Sequence, residues 1–130
     1  MSPEQKLWLR LRPHFPSGCH VTRIENTTCS GVPDVNFCLD GIEYWLELKI
    51  VTERGAVLRK FQYAWGKQRI LRQGRVYIIG YDSKEQIYYL QNMLFASVCS
   101  VVDREHLLIG IEDAFKSVDP KIIIQQILLK

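Results

Sequence analysis

Three side chains in the segment 33–49, which reads PDVNFCLDGIEYWLELK, could together perform chemistry on a phosphate ester. Asp34 and Glu47 supply two carboxylates, and Lys49 supplies an ammonium group two residues later. Two adjacent carboxylates repel each other, and a hard divalent cation such as Mg²⁺ between them would remove that repulsion. Such a cation could polarise a phosphate, while the lysine would offset developing negative charge.

A β-hairpin would bring these side chains together. Asp-Gly at positions 40 and 41 is a strong two-residue turn signal between alternating apolar positions, and it predicts that Leu39 pairs with Ile42. Counting back along both strands places Asp34 opposite Glu47. One face then consists of Val35, Phe37, Leu39, Ile42, Tyr44, Leu46 and Leu48. The other face carries Asp34, Asn36, Trp45, Glu47 and Lys49. A slip of one residue would mix the two sets, so the pattern itself favours this register.

The motif resembles the signature of the PD-(D/E)XK nucleases, in which Pro-Asp precedes a hairpin and Glu-x-Lys lies on its second strand. The fuller pattern is similar to the VRR-NUC and phage Holliday-junction-resolvase-like branch of that superfamily. It consists of Gly31, Val32, Pro33, Asp34, the segment 44–49 (YWLELK), Leu58, Gln62 and Trp65. The resemblance covers roughly residues 21–80.

This resemblance implies a fold, a cofactor and roles for individual residues. The fold would be α/β, with a restriction-endonuclease-like mixed β-sheet flanked by helices. Asp34, Glu47 and the carbonyl of Leu48 would hold Mg²⁺ or Mn²⁺. Lys49 would position the nucleophile or offset charge, and Gln62 would orient Lys49 or the phosphate. The protein would act on DNA as a homodimer.

A third acid has two candidates. In PD-(D/E)XK enzymes it commonly comes from the first helix, which here offers Glu4. Glu25, at the end of the first predicted strand, is the other candidate and completes the predicted catalytic set. The residues alone do not choose between them, and either could be an ordinary exposed carboxylate.

A basic segment follows the Glu-Leu-Lys strand. Between positions 54 and 75 the chain has no acidic residue and contains Arg54, Arg59, Lys60, Lys67, Arg69, Arg72 and Arg75. A charge run by itself usually marks a solvated helix face. Its position directly after a suspected metal site favours a polyanion instead. We expect the first five of these residues to contact DNA phosphates.

The remaining pattern predicts one domain over residues 1–130, with a core at about 1–91 and C-terminal helices at about 93–130. The predicted elements are a helix at 2–12, a strand at 19–25, a helix at 58–73 ended by Gly74, and strands at 75–81 and 85–91. Beyond them we expect a short helix within 93–102, a helix from Asp103 to Lys116 with Leu107, Leu108, Ile111 and Phe115 inward, and a last helix from Pro120 capped by Asp119. This last helix is apolar nearly all round, which predicts either deep packing or a subunit interface.

Composition excludes several classes of protein. The hydrophobic content of 47% and the charged content of 24% are typical of a globular domain. No apolar run is long enough to span a membrane, and the N-terminal segment lacks a signal-peptide pattern, so we expect a cytoplasmic protein. A zinc site made of Cys19, His20, Cys29 and Cys38 is disfavoured because no cysteine pair shows the usual spacing.

The sequence therefore predicts a metal-dependent endodeoxyribonuclease that is selective for branched DNA. Two alternatives stay open. One is a nuclease of the same fold that acts on linear, flap or replication-intermediate DNA. The other is a non-catalytic nucleic-acid-binding module on a nuclease fold, which the presence of all three motif residues, Asp34, Glu47 and Lys49, disfavours.

Overall fold

A computed structural model describes residues 1–24 and 31–129 of the chain as two β-sheets and three α-helices. The helices are α1 (Pro3–Leu11), α2 (Lys60–Leu71) and α3 (Pro120–Leu128), with a short 3₁₀ turn at Arg12–His14. The strands are β1 (His20–Arg23), β2 (Val35–Leu39), β3 (Ile42–Ile50), β4 (Ala56–Arg59), β5 (Arg75–Asp82), β6 (Ile87–Asn92), β7 (Val98–Val101), β8 (His106–Ile109) and β9 (Phe115–Ser117). The larger sheet has six strands in the order β1-β2-β3-β5-β6-β9, and the smaller has three in the order β4-β8-β7.

The predicted hairpin is confirmed in both turn and register. Strands β2 and β3 pair antiparallel, with Leu39 opposite Ile42 and Val35 opposite Leu46. The turn residues Asp40 and Gly41 have φ values of +53° and +78°, as a type I′ turn requires at both positions. The same register, continued by one residue, places the acid of the Pro-Asp pair opposite the acid of the Glu-Leu-Lys strand.

The larger sheet separates two apolar layers. One face packs against α1 and α3, and its core includes Leu7, Leu11, Val35, Phe37, Leu46, Leu48, Ile123, Ile124 and Ile127. The other face packs against α2 and the small sheet, with a core that includes Leu58, Val76, Ile78, Met93, Leu107 and Ile109. Strand β3 pairs in parallel with β5, so the chain must cross over between them, and α2 lies in that crossover.

Several boundaries agree with the sequence pattern because local chemistry sets them. Ser2 and Gln5 form a capping box at the start of α1. The Ser2 hydroxyl accepts from the N–H of Gln5 at 3.1 Å, and the Gln5 side chain accepts from the N–H of Ser2 at 2.8 Å. Asp119 caps α3 by accepting from the N–H of Lys121 at 2.9 Å. Of the two possibilities for α3, the structure shows deep packing, because its buried isoleucines join the chain's own core.

The prediction of helices at 93–116 is wrong. Strands β7 and β8 form there and pair with each other, β8 also pairs with β4, and β9 extends the edge of the larger sheet. The capping signal at Asp103 is real, but its carboxylate accepts from the N–H groups of Glu105 and His106 within the β7–β8 turn. Leu107, Leu108 and Ile111 are buried as expected, whereas Phe115 is 37% exposed.

The start of α2 also differs from the prediction. Leu58 belongs to β4 and pairs with Leu107 of β8, and the helix begins at Lys60. The apolar periodicity continues from strand to helix without a break, so it could not mark the boundary. Within the described parts of the chain, no helix is both long and apolar enough to cross a membrane.

Gly31 lies where the chain enters β2, and we predict that it tolerates no side chain. Its φ is +88°, and an added Cβ would overlap the carbonyl of Phe61 in the first turn of α2. Gly41 has a similar φ of +78° but open space around it. We expect Gly41→Ala to lower the free energy of unfolding by about 1 kcal/mol, from backbone strain alone. Gly31→Ala should lower it by about 2–4 kcal/mol, because steric overlap is added.

Denaturant unfolding of the two variants measures both effects. Equal losses in Gly31→Ala and Gly41→Ala would show that α2 does not approach this loop as closely as the structure places it.

Candidate active site

The three residues of the motif meet on the face of the sheet that α2 covers. Lys49 Nζ lies 3.7 Å from Glu47 Oε2, and the two side chains follow one another on the same face of β3. Asp34 Oδ2 accepts a 2.8 Å hydrogen bond from the backbone N–H of Leu48, which fixes that carboxylate beside β3. The structure thus brings together the two acids and the amine, as the hairpin register predicts.

Glu47 is buried, with 2% of its side chain exposed, and its two oxygens have different surroundings. Oε2 accepts from Gln62 Nε2 at 2.9 Å and faces Lys49. Oε1 is also buried, and no group within residues 1–24 and 31–129 hydrogen-bonds to it. Leaving a buried carboxylate oxygen without a partner is costly, so this atom requires either a proton or a cation.

The electrostatics of Glu47 lead to the same requirement. Burial, and next the neighbouring charge of Asp34, raise the pKa of Glu47 well above its ordinary value, although the ammonium group of Lys49 acts in the opposite direction. A carboxylate that is buried and close to a second acid does not ionise easily. A divalent cation would reverse the balance and favour the charged form.

Gln62 is the predicted α2 residue that reaches the site. Its Nε2 donates to Glu47, and its Oε1 accepts from the backbone N–H of Arg59 at 2.9 Å. Both ends of the amide are therefore used, and the side chain fixes the orientation of the Glu47 carboxylate relative to the start of α2.

Arg23 is a site residue that the sequence did not reveal. Its Nη1 lies 3.5 Å from Asp34 Oδ1 and donates to the backbone carbonyl of Asp34 at 3.0 Å. It reaches Asp34 because β1 pairs antiparallel with β2, with Arg23 opposite Val35. No turn signal joins these two strands in the sequence, so only their register, read from the structure, discloses this contact.

The backbone beside the acids offers a further oxygen. Continuing the β2–β3 register places Pro33 opposite Leu48. Proline has no N–H, so the ladder supplies no donor from that position to the Leu48 carbonyl. With two carboxylates, this predicted ligand would complete an all-oxygen donor set, which suits Mg²⁺ or Mn²⁺ and not a soft metal.

The third acid is not found among the described residues. Glu25 lies outside them, as does Cys29 of the disfavoured zinc set. Glu4 lies on α1, which packs on the opposite face of the sheet. Within residues 1–24 and 31–129, no three His, Cys, Asp or Glu side chains gather as a metal site requires, so Glu4 does not join the two acids, nor do the described members of the zinc set form a site.

The predicted DNA-contacting residues have different surroundings. Arg54, Arg59 and Lys60 are exposed. Arg69 is also exposed, and its guanidinium lies over the rings of Trp45 and Trp65, at 5.2 and 4.5 Å from their centroids.

Lys67 departs from the prediction because it has a structural role. Its Nζ donates to three backbone carbonyls, those of Met93, Leu94 and Ala96, at 2.7 to 3.2 Å. Burial lowers the pKa of this amine. With its three donors used to hold the 93–96 turn, Lys67 is not placed to bind a phosphate.

Comparisons with known proteins identify the fold. No family model and no curated protein matches this sequence. Among solved structures, the chain is similar to Hjc of Archaeoglobus fulgidus, a Holliday junction resolvase from an archaeal hyperthermophile. The TM-score is 0.57, the sequence identity is 11%, and the match covers 86% of each chain. This chain therefore has a restriction-endonuclease-like fold, as predicted, while membership of the VRR-NUC branch stays a prediction.

The raised pKa of Glu47 predicts how the stability of the metal-free protein depends on pH. The native state holds the Glu47 proton above the unfolded-state pKa of about 4.3, so stability falls as pH rises from there through the raised folded-state value. Glu47→Gln removes this titration. Denaturant unfolding in EDTA at several pH values should show the variant gaining stability relative to wild type as pH increases. Parallel pH curves for the two proteins would contradict the burial of an ionisable, undercompensated Glu47.

Mn²⁺ should stabilise the wild-type protein at neutral pH. A ligand that binds only the native state adds about 2.7 kcal/mol at a concentration of 100 times its dissociation constant. Glu47→Gln should lose most of this gain. Glu43→Gln is the matched control, since Glu43 lies exposed on the same strand, outside the site. Thermal unfolding with and without Mn²⁺ measures the difference, and an equal gain in both variants would place the cation elsewhere.

Proposed function

We propose that this protein is a divalent-metal-dependent endonuclease that hydrolyses DNA phosphodiester bonds. The observation that carries the proposal is the buried, unpartnered oxygen of Glu47 beside Asp34 and Lys49, on a nuclease-like fold. A purely structural carboxylate would have been satisfied by the protein, whereas a cation-binding carboxylate keeps an oxygen for its ligand.

In this proposal each site residue has a defined task. Asp34, Glu47 and the Leu48 carbonyl hold Mg²⁺ or Mn²⁺, and the bound cation supplies Lewis-acid polarisation of the scissile phosphate. Lys49 places its ammonium group next to this centre and offsets the negative charge that develops on the phosphate oxygens. Gln62 keeps Glu47 Oε2 occupied, so Oε1 is the oxygen that would bind the cation.

Arg23 is a positioning residue in the same scheme. Its hydrogen bond to the carbonyl of Asp34 and its proximity to the Asp34 carboxylate tie the residue before β2 to the end of β1. The proposal also includes Glu25 as the third carboxylate, one of the two candidates that the sequence offers.

The DNA backbone would lie across the exposed cations that flank the site. Arg54, Arg59, Lys60 and Arg69 offer contacts to phosphates, which position a duplex without reading its sequence. Branched DNA is the proposed substrate, because Hjc, whose fold this chain shares over 86% of its length, is a Holliday junction resolvase. A four-way junction has two strands to cut, so the proposal includes a homodimer that supplies two sites.

A cleavage assay with defined substrates tests the proposal. With Mg²⁺ or Mn²⁺, the purified protein should cut a four-way junction in preference to a linear duplex of the same sequence in direct competition. Asp34→Ala should lower the rate at least about 100-fold, and Lys49→Ala by about 100- to 1,000-fold, which is typical for removing one group that stabilises transition-state charge. Lys84→Ala, an exposed lysine in the β5–β6 turn, is the matched control and should leave the rate unchanged.

The outcomes separate the alternatives. Cleavage that survives Asp34→Ala or Lys49→Ala rules out this site. Equal cleavage of junction and duplex retains the nuclease but replaces the substrate with linear or flap DNA. Metal-independent DNA binding without cleavage of any probe would favour the non-catalytic module.

A further inference from the structure

A cleft with a volume of about 540 Å³ lies beside the candidate active site, between the start of α2 and the β7–β8 turn. It is lined by Arg59, Lys60, Phe61, Arg104, Glu105 and His106. Its volume falls within the range of about 300–1,000 Å³ that is usual for small-molecule sites, and so suits one nucleotide unit. Half of this lining comes from the β7–β8 turn and the first residue of β8, which the sequence did not predict.

The charge of the cleft favours an anion. Arg59, Lys60 and Arg104 contribute three positive charges, and Glu105 contributes one negative charge. The ring nitrogen Nδ1 of His106 lies 2.8 Å from the Asp103 carboxylate. This acid therefore has a partner within its own turn and is not one of the cleft's lining residues. The remaining excess of positive charge is concentrated in a concave surface, where it attracts phosphate more strongly than the same charges on a flat surface would.

The walls of the cleft are held in place by backbone contacts. Arg59 pairs with His106 in the β4–β8 ladder, and the N–H of Lys60 donates to the carbonyl of Glu105 at 2.9 Å. Asp103 accepts from the N–H groups of two residues that follow it, which fixes the turn that carries Arg104. The backbone that carries these cations therefore needs little reordering when a ligand binds.

Phe61 adds an aromatic surface at the edge of these cations. Its side chain is 63% exposed, so the ring is accessible to a ligand in the cleft. An exposed aromatic ring next to arginine and lysine side chains matches the pattern of single-stranded nucleic-acid sites, where bases stack on rings and phosphates bind to cations.

One side chain links this cleft to the candidate active site. Gln62 follows Phe61 in the first turn of α2, accepts from the N–H of Arg59 and donates to Glu47. A DNA strand with one nucleotide in the cleft would therefore have a neighbouring phosphate near the two acids.

We propose that this cleft binds an unpaired nucleotide of the DNA substrate, with its base stacked on Phe61 and its phosphate held by Arg59, Lys60 and Arg104. The inference rests on the proposed function for the identity of the polymer, and it adds a source of selectivity. Fully paired DNA cannot present a free base face to Phe61, whereas nucleotides at a branch point, bulge or fork can. The C-terminal strands thus supply part of the substrate site.

The test measures DNA binding in EDTA, so it does not depend on cleavage. The probes are a fluorescent duplex with a two-nucleotide bulge and the same duplex fully paired. Phe61→Leu removes the ring and keeps the apolar character. We expect it to weaken binding of the bulged probe about fivefold or more, with less than about a twofold effect on the paired probe. Phe95→Leu is the matched control, because Phe95 is 77% exposed outside this cleft, and it should change neither affinity.

A second pair of variants tests the cations. Arg104→Ala should weaken binding of the bulged probe and reduce the slope of log affinity against log salt by about 0.7, which corresponds to one lost phosphate contact on a single strand. Arg12→Ala removes the same charge from an exposed position in the 3₁₀ turn after α1, outside this cleft, and should leave the slope unchanged.

The results distinguish this inference from the proposed function. Equal effects of Phe61→Leu and Phe95→Leu, equal losses on both probes, or no binding of either probe by the wild-type protein would overturn the cleft assignment. If the variants lose affinity as expected but no cleavage occurs with metal, the cleft assignment holds and the nuclease proposal fails. If junctions are cut in the cleavage assay but these variants bind both probes normally, the nuclease proposal holds and the cleft assignment fails.

Discussion

The burial of the Glu47 carboxylate is the constraint on which the site depends. The fold removes this acid from water, places it beside a second acid, and satisfies only one of its oxygens with Gln62 and Lys49. A buried acid lowers the stability of the metal-free protein, and a bound cation would offset that cost. The same burial would therefore both destabilise the metal-free protein and create a cation site.

The hairpin and its acids could be predicted from the sequence because several local signals agree. An Asp-Gly turn, a strict alternation of apolar residues and the position of Pro33 all specify one register, and the structure has that register. Once the register is known, Asp34 and Glu47 must be neighbours, and Lys49 must share their face. Gln62 is expected near them from the resemblance to the PD-(D/E)XK nucleases, and its side chain does contact Glu47, although the helix begins later than the pattern indicates.

The parts that could not be predicted depend on pairings between distant segments. Strands β4 and β8 are about 50 residues apart in sequence, and each is a short apolar run that fits a helix as well as a strand. Arg23 reaches Asp34 only through the β1–β2 register, which no turn signal indicates. The sequence shows the charge of Lys67 and so predicts a contact with DNA. It does not show the position of the turn whose carbonyls Lys67 binds. The cleft lined by Phe61 and Arg104 could not be predicted either, because it depends on the pairing of β4 with β8.

The central claim is that Asp34 and the free oxygen of Glu47 share one divalent cation. A crystal soaked in Mn²⁺ would locate this cation, because manganese scatters anomalously much more strongly than the sulfur atoms of the protein. The account predicts a single strong peak within about 2.0–2.4 Å of Asp34 and of Glu47 Oε1, with the Leu48 carbonyl as a further ligand. A well-ordered site with no peak between the two carboxylates, and with Glu47 Oε1 bonded to a protein group instead, would contradict it.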